Sequence, residues 1–181
     1  MTLELDVGCG SNKRRPDLVG VDSRSCPGVD VVCDVNQGLP FDNGTVDTIY
    51  SSHFLEHVDD LEHTLGEFLR VLKPEGRLHI IVPHFSNPLG YSDYTHRRFF
   101  GYFTFNYFAK APARYGPPPH YNPNLNLKII RKTLVFKQWP IIGGIVEAIV
   151  NRWELAAYIY ESRFAWLFPC FEIVFELERD S

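Results

Sequence analysis

The stretch Leu3-Glu-Leu-Asp-Val-Gly-Cys-Gly-Ser-Asn-Lys13 joins a short apolar run to a turn that carries two glycines. In its first half, leucine and valine alternate with acidic residues, which predicts a β-strand. Gly8 and Gly10 provide positions without side chains, where the backbone can turn sharply and approach a ligand closely. Such a turn presents backbone N–H groups to anionic or carboxylate-bearing ligands. The stretch therefore predicts a strand followed by a ligand-binding turn.

Length, composition and charge narrow the class of protein. With 181 residues, the chain is long enough for one well-buried domain and short for two. It carries 18 lysine and arginine residues against 22 aspartate and glutamate residues, a formal charge of −4. This balance argues against a nucleic-acid-binding protein that relies on a basic surface. We therefore expect a single domain over residues 1–181 and no nucleic-acid partner.

The cysteine and apolar patterns bear on the compartment. Cys9, Cys26, Cys33 and Cys170 form no Cys-x-x-Cys pair, so neither a zinc knuckle nor a disulfide framework is indicated. No signal peptide precedes the first strand, and the longest uncharged apolar runs are shorter than the roughly 20 residues that span a bilayer. We expect a cytoplasmic protein whose C-terminal half has the composition for an occasional membrane contact.

The first half of the chain repeats one pattern, an apolar run that ends at a polar residue or a turn. Residues 18–22 and 29–34 predict the second and third strands, each closed by an aspartate. Residues 46–51 predict a fourth strand. Residues 77–83 predict a fifth, nearly continuous apolar strand of the kind that helices cover on both faces. Strands that alternate with crossovers predict a parallel, doubly wound sheet.

The clearest helix lies between the fourth and fifth strands. Asp59, with Glu62 three residues further on, fits a capping box. Apolar residues then recur at helical spacing from Leu61 to Leu72, and Pro74 ends the helix.

The second half of the chain is rich in aromatic residues, with 21 of the 26 after position 90. Prolines between 112 and 123 predict extended, polyproline-like backbone. Residues 125–136 and 171–178 predict two further strands. Between them, residues 142–153 predict an amphipathic helix. We assign its apolar stripe to the core, with docking to a membrane or a lipid-like substrate as the alternative.

Three predicted strand ends offer groups that suit a nucleoside-like ligand. In an open parallel sheet, ligands bind in the crevice at the carboxyl ends of the strands. Gly8 and Gly10 follow the first strand, Asp22 ends the second and Asp34 ends the third. A carboxylate can accept hydrogen bonds from both hydroxyls of a ribose, and a second carboxylate can accept one from an adenine amine.

The first 85 residues contain five motifs in order: Asp6-Val-Gly-Cys-Gly10, Val21-Asp22, Cys33-Asp34-Val-x-x-Gly-Leu-Pro-Phe41, Val46-Asp-Thr-Ile-Tyr-Ser-Ser-His-Phe-Leu-Glu-His57 and Leu69-Arg-Val-Leu-Lys-Pro-Glu-Gly-Arg-Leu78. Together they resemble the ordered motifs of class I S-adenosylmethionine-dependent methyltransferases. The resemblance implies a Rossmann-like, doubly wound α/β fold with three layers, α/β/α. The sheet would be mostly parallel, with a C-terminal antiparallel hairpin formed by the last two predicted strands.

The resemblance also implies the cofactor and the residues that hold it. The cofactor would be S-adenosylmethionine, with Asp6, Gly8 and Gly10 at its methionine part and Asp22 at its ribose. Asp34 and the Val35 amide would contact the adenine. Ser52 and His53 would line the pocket under the sulfonium. Residues 1–85 would form the cofactor-binding core, and the aromatic-rich insertions 86–124 and 137–170 would recognise the substrate and close over it.

The sequence departs from the family pattern near the glycine turn. Only about ten residues separate the first two predicted strands, so the first crossover helix should be short or absent. Asn12 stands where many family members have a third glycine. The chain also begins at the first strand, without the N-terminal helices that often cover the cofactor. These departures leave open a methyltransferase-like binding module without catalytic activity.

Two other classes of protein share parts of this pattern. A dinucleotide-binding site normally has a third glycine, but Lys13 stands at that position. Its ribose-binding acid normally lies roughly 20 residues further on, whereas Asp22 follows Gly8 more closely. The run His53-Phe-Leu-Glu-His57 matches the His-x-x-Glu-His pattern of inverted zinc peptidases. Five residues match often by chance, and we assign no metal.

A small-molecule methyl acceptor with an apolar or ring portion best suits the aromatic composition. The sulfonium already carries an activated methyl group, so a general base is needed only for a weak nucleophile such as a hydroxyl. The candidates for that base, in order, are His84, His96 and His57. Oxygen, nitrogen and carbon acceptors all stay open, as does the oligomeric state.

Overall fold

The computed structural model describes residues 2–109, 121–122, 124–139 and 142–180. The prolines at 112, 117–119 and 123, for which extended backbone is predicted, lie outside the described residues. The strands and α-helices in the described part are β1 (Glu4–Val7), β2 (Val19–Asp22), β3 (Val31–Val32), β4 (Val46–Ser52), α1 (Leu61–Val71), β5 (Leu72–Pro83), α2 (Pro88–Ser92), β6 (Leu127–Val135), α3 (Ile142–Val150), α4 (Glu154–Ile159) and β7 (Glu172–Arg179). Short 3₁₀ helices span Val35–Gln37 and Thr104–Phe108, and a π-helical turn spans Tyr160–Phe164.

The strands form one mixed sheet in the order β3-β2-β1-β4-β5-β7-β6. Strands β1 to β5 run parallel to one another, while β7 runs antiparallel to both β5 and β6. This confirms the predicted Rossmann-like α/β class, including the antiparallel C-terminal pair. The connection between β6 and β7 contains α3 and α4 rather than a tight turn.

The fifth strand lies inside the sheet, as its apolar sequence predicts. Leu78, Ile80 and Val82 of β5 are buried, and β5 pairs with β4 on one side and β7 on the other. The side chains of Phe68 and Phe105 are also fully buried. The apolar core therefore surrounds the middle of the sheet, and the polar strand ends lie at its margin.

No helix connects β1 to β2, as the short spacing predicts. Residues 8–18 instead form a loop that ion pairs hold in place. The Nζ of Lys13 lies 2.7 Å from an Asp30 carboxylate oxygen, and Arg15 pairs with Glu4 of β1. The loop thus takes the position of a crossover helix between two parallel strands.

The first helix begins one residue later than the capping pattern suggests. Asp60, not Asp59, is the N-cap: its backbone is extended, and its carboxylate accepts a hydrogen bond from the His63 N–H at 3.0 Å. Asp59 is exposed and pairs with Arg97. The predicted cap at Asp59 is therefore wrong by one residue, because two consecutive aspartates offer the same local chemistry.

We expect Asp60→Ala to lower the free energy of unfolding by about 1 kcal/mol, since an N-cap side chain satisfies an otherwise unpaired helix N–H group. The matched control is Asp59→Ala, which removes only an exposed ion pair and should cost less than about 0.5 kcal/mol. Urea denaturation of the two variants measures the difference. Equal losses for the two would contradict the assignment of the cap.

The apolar stripe of α3 does not lie in the core, contrary to the preferred interpretation of residues 142–153. Ile142, Ile145, Ile149 and Trp153 are each more than half exposed, whereas Val150 is buried. Apolar periodicity shows that one face is apolar, but it does not show whether the fold covers that face. None of the described helices is long and apolar enough to cross a bilayer.

Candidate functional site

The glycine turn after β1 requires glycine at its first position. Gly8 has φ +76, and a Cβ built there would lie 2.5 Å from ring atoms of Phe54. Its N–H donates to the Val21 carbonyl at 2.8 Å, which ties the turn to β2. Gly10 also has a positive φ, +52. A side chain at Gly8 would therefore face both backbone strain and a steric clash.

Asp22, at the end of β2, contacts the glycine turn directly. Its Oδ2 accepts a hydrogen bond from the Gly10 N–H at 3.0 Å, and its Oδ1 accepts one from the Arg24 N–H at 3.0 Å. The parallel register places Val7 opposite Val21, so the two strand ends are neighbours. The structure therefore brings together the turn and the acid that the sequence placed at adjacent strand ends.

Asp34 follows β3 and caps the short 3₁₀ helix. Its Oδ1 accepts hydrogen bonds from the backbone N–H and the side-chain amide of Asn36, each at 3.0 Å. The carboxylate is exposed, whereas the next residue, Val35, is buried. Asp34 thus offers acceptor oxygens to solvent beside a fixed backbone, two strands away from the glycine turn.

Asp6 is buried beneath the same turn. Its Oδ2 accepts a hydrogen bond from the Arg14 N–H at 2.6 Å, which anchors the loop between β1 and β2. Burial raises the pKa of this carboxyl above its ordinary value, and the Arg14 hydrogen bond opposes that shift. Asp6 therefore fixes the position of the loop that follows the glycine turn.

Ser52 and His53 lie at the end of β4, which is the neighbour of β1, the strand that precedes the glycine turn. His53 has φ +51, uncommon for a residue with a side chain. Its Nε2 lies 3.3 Å from Glu172 and its Nδ1 lies 3.4 Å from Glu56. These carboxylates, Glu172 first, raise the pKa of His53 to about 9. His53 therefore carries a positive charge at neutral pH, between two acids.

A cavity of about 630 Å³ opens at the carboxyl ends of β4 and β5. We call it the histidine cavity. Its lining includes His53, Glu56, His57, Asp93, His96 and Phe171. The sequence candidates His57 and His96 therefore lie together in one cavity, which also contains His53 of the predicted cofactor set.

Hydrogen bonds orient both imidazoles in this cavity. The Thr95 hydroxyl donates to Asp93 Oδ1 at 2.6 Å, so its oxygen accepts from His57 Nδ1–H at 2.9 Å. His96 Nδ1–H donates to the Gly90 carbonyl at 2.9 Å. These contacts assign the tautomers, because the Gly90 carbonyl has no proton and the Thr95 hydroxyl gives its proton to Asp93. In the neutral form, each ring therefore keeps its lone pair on Nε2.

The first candidate base, His84, lies outside the histidine cavity. It is 1% exposed at the end of β5. Its Nδ1 accepts a hydrogen bond from the Ser86 N–H at 3.0 Å, and its Nε2 lies 3.0 Å from Glu161. Both ring nitrogens are therefore engaged in contacts that join the end of β5 to the π-helical turn.

Replacing His84 with alanine should lower the free energy of unfolding by about 2 kcal/mol, because it leaves the buried Ser86 N–H unpaired and removes a hydrogen bond to a carboxylate. Denaturant unfolding measures this loss, with the exposed His63→Ala as the control. Unchanged stability would contradict a structural role for His84.

The methyltransferase motifs assign no role to Glu56 or Glu172. Both are buried, Glu56 fully and Glu172 at 3% exposure. Burial alone would raise the pKa of Glu172, but hydrogen bonds from His53 and Lys137 hold it below its ordinary value. An acid at the start of the apolar strand β7 is a weak signal in the sequence, whereas its contact with His53 depends on the tertiary fold.

The structure does not form the helix that an inverted zinc peptidase needs. That pattern requires the two histidines of His-x-x-Glu-His on one helical face. Residues 53–57 form a turn, and His53 points its nitrogens at two carboxylates instead.

Comparison with known proteins gives one family and many structures. Residues 5–80 match the family model described as a methyltransferase domain. No curated protein matches the sequence. The match spans β1 to β5, the part that contains the glycine turn, Asp22 and Asp34.

Several solved structures share the fold over nearly the whole chain. The YcgJ protein of Bacillus subtilis is 16% identical with a TM-score of 0.58, over 99% of this chain and 92% of that chain. An S-adenosylmethionine-dependent methyltransferase from Mesorhizobium loti is 13% identical with a TM-score of 0.56, over 98% and 90%. Geranyl diphosphate C-methyltransferase from Streptomyces coelicolor, solved with S-adenosylhomocysteine, is 16% identical with a TM-score of 0.52, over 99% and 71%.

The sheet order and these similarities define the fold as that of class I methyltransferases. The methyltransferase-domain match over residues 5–80, together with this shared fold, supports the predicted S-adenosylmethionine-dependent methyltransferase and S-adenosylmethionine as its cofactor. The predicted enzyme class and cofactor are confirmed.

Proposed function

We propose that this enzyme transfers the methyl group of S-adenosylmethionine to a small molecule bound in the histidine cavity. The observation that carries this proposal is the position of His53. It directly follows β4, where the family resemblance expects the sulfonium, and it also lines the histidine cavity. An acceptor in that cavity would therefore lie beside the methyl group.

For the cofactor, we propose the residues that the motifs indicate. The turn at Gly8 and Gly10, where no side chain blocks a close approach, would lie against the methionine part, Asp22 would hold the ribose, and Asp34 with the Val35 amide would hold the adenine. Ser52 and His53 would border the sulfonium. The contact of Gly10 with Asp22 supports this set, because it holds two of the groups in a fixed relation. Asp6 would support the methionine part indirectly, because it anchors the loop that follows the glycine turn.

The main task of the protein in this reaction is alignment. The acceptor's lone pair attacks the methyl carbon as the carbon–sulfur bond breaks, which releases S-adenosylhomocysteine. Good orientation of two bound reactants is worth about 7 to 11 kcal/mol of the barrier. The positive φ of His53 and its two carboxylate contacts hold this side chain at the border between the two binding regions.

The histidine cavity also contains the groups suited to removing a proton from the acceptor. His96 and His57 each keep an Nε2 lone pair, whereas both nitrogens of His84 are engaged elsewhere. We therefore propose His96 and His57 for this role and place His84, the first candidate from the sequence, last. An imidazole nitrogen with a free lone pair, held beside the acceptor, can take its proton during the transfer.

An acceptor with an apolar or ring portion suits the surroundings of the cavity. Leu89 and Phe171 line it, and beside it Tyr91 stacks on Phe99 with ring centroids 4.5 Å apart. Both rings are about half exposed. We propose that residues 86–124 and 137–170 recognise the acceptor, and that Tyr91 and Phe99 contact its apolar part.

Calorimetry with S-adenosylmethionine and S-adenosylhomocysteine tests the cofactor half of the proposal. The acceptor half is tested by measuring the S-adenosylhomocysteine that forms when the enzyme and S-adenosylmethionine are incubated with each member of a panel of phenols, amines and carboxylic acids. If the acceptor binds in the histidine cavity, we expect active acceptors to protect His57 and His96 from modification by diethyl pyrocarbonate. An active acceptor that leaves both histidines reactive would contradict the placement.

The four cysteines support a reducing compartment. Cys9, Cys26, Cys33 and Cys170 are all free thiols in the structure. We therefore propose a cytoplasmic location, which fractionation of the cells that produce the protein tests directly.

A further inference from the structure

Three side chains with metal-binding atoms meet in the histidine cavity. Glu56, His57 and His96 each offer one ligand atom, and these atoms all lie within 4.8 Å of one another. Two imidazole nitrogens and one carboxylate oxygen are the donor set of several zinc enzymes. The three residues come from the turn after β4 and from the segment after α2, so the fold, not a local motif, brings them together.

The orientation of the histidines matches that of metal ligands. A histidine that binds a metal usually donates its other ring N–H to an oxygen, which fixes the tautomer and the ring plane. His57 does this through Thr95, which in turn donates to Asp93, and His96 does it through the Gly90 carbonyl. Both rings thus have their outer contacts in place through Nδ1. The Nε2 of His57 is not used by these contacts, and the Nε2 of His96 lies 3.7 Å from an Asp93 carboxylate oxygen.

Glu56 supplies an independent observation. It is 0% exposed, and neither of its carboxylate oxygens has a hydrogen-bond partner among the described residues. A buried carboxylate without hydrogen bonds is costly unless a cation compensates it. The charged His53 lies 3.4 Å from one Glu56 oxygen, outside hydrogen-bond geometry, and shares its charge with Glu172. One of the most buried acids among the described residues therefore has a shared ion pair and no hydrogen bond.

We propose that Glu56, His57 and His96 bind a divalent transition-metal ion, with Zn²⁺ as the ion that best fits these donors. Imidazole and carboxylate ligands suit Zn²⁺, which binds them at about 2.0 to 2.2 Å. In a tetrahedral site, ligand atoms at that distance lie about 3.3 Å apart. The present spread of 4.8 Å closes to this value when the side chains shift by about 1 Å.

The fourth position of such a site faces the histidine cavity. Three protein ligands with one open position are the pattern of zinc sites that bind a substrate or water. The ion would therefore hold an oxygen or nitrogen atom of the acceptor. This inference rests on the proposed function for its role in acceptor binding. The metal site itself requires neither the cofactor nor the acceptor.

Titration of chelator-treated, metal-free protein with Co²⁺, followed by its visible absorbance, tests the site. Competition with Zn²⁺ then gives the zinc affinity. We expect one equivalent per chain and a loss of affinity of about 100-fold or more in Glu56→Gln, His57→Ala and His96→Ala. His63→Ala, which replaces an exposed histidine of α1, is the control and should bind as the wild type does.

A milder variant guards against a loss of folding. Thr95→Val removes the acceptor of the His57 Nδ1–H but leaves all three ligands, and it should weaken binding about 10-fold. Thermal unfolding of every variant identifies those that fold. Failure of the wild type to bind one equivalent, or equal binding by all folded variants, overturns the proposal.

The same samples separate this inference from the proposed function. Calorimetry with S-adenosylmethionine reports on the cofactor site without the metal. Protein that binds the cofactor but no metal overturns only the metal site. Protein that binds the metal but not the cofactor overturns the proposed methyl transfer and leaves the metal site standing.

Discussion

Replacing Asp22 with alanine is expected to weaken S-adenosylmethionine binding about 100-fold, or about 2.7 kcal/mol. Each carboxylate oxygen has two lone pairs, and the backbone N–H groups of Gly10 and Arg24 use one on each oxygen. One acceptor position per oxygen stays available, which matches the two hydroxyls of a ribose. A hydrogen bond to a charged group contributes about 1.5 to 3 kcal/mol, so the loss of two readily reaches this magnitude.

Two further variants sharpen this test by calorimetry. Asp22→Asn keeps one acceptor oxygen and loses the charge, so we expect an intermediate loss of about 10-fold. Asp17→Ala removes an exposed acid of the neighbouring loop and should leave the affinity unchanged. If Asp22→Ala binds the cofactor as well as Asp17→Ala does, the ribose is held elsewhere and the proposed cofactor site is wrong.

The strands of the first half could be predicted because their signals are local. Alternating or continuous apolar runs, closed by Gly8, Asp22 and Asp34, contain both the strand and its end. The parallel order of the sheet then brings those ends together without any further information from the side chains. The prediction therefore extended from secondary structure to the neighbouring positions of the glycine turn and Asp22.

The contacts of His53 could not be predicted in the same way. Glu172 lies on β7, and it reaches His53 only because β7 inserts between β5 and β6. Strand order at this edge depends on the packing of the whole second half. For the same reason, the burial of His84 and the pairing of its nitrogens with Ser86 and Glu161 have no signal in the sequence.

The second half was also harder to predict because aromatic and apolar residues there are not all buried. The helix α3 leaves Ile145 and Ile149 exposed, while Phe105 is fully buried against Phe175, with ring centroids 4.6 Å apart. Both environments are built from the same residue types. Composition shows that a surface is apolar, and only the fold decides which part of it faces solvent.

Removing either His57 or His96 is expected to lower turnover by about 10² to 10⁴-fold, the usual contribution of a positioned proton acceptor. The two rings lie edge to face with centroids 4.8 Å apart, and both face the cavity that holds the proposed acceptor. They should act as a unit, whether they take the proton directly or through a bound ion. The double variant should therefore be no more than about 10-fold slower than the worse single variant, since residues that act together are strongly non-additive.

The measurement is the rate of S-adenosylhomocysteine release with the best acceptor from the panel, at saturating cofactor. Calorimetry should show unchanged S-adenosylmethionine affinity, because neither histidine belongs to the proposed cofactor set. His63→Ala provides the control for the loss of an imidazole far from the cavity. Single variants that stay within about threefold of the wild-type rate would show that neither histidine takes the proton of the acceptor. Fully additive losses in the double variant would show two independent roles instead of one shared site.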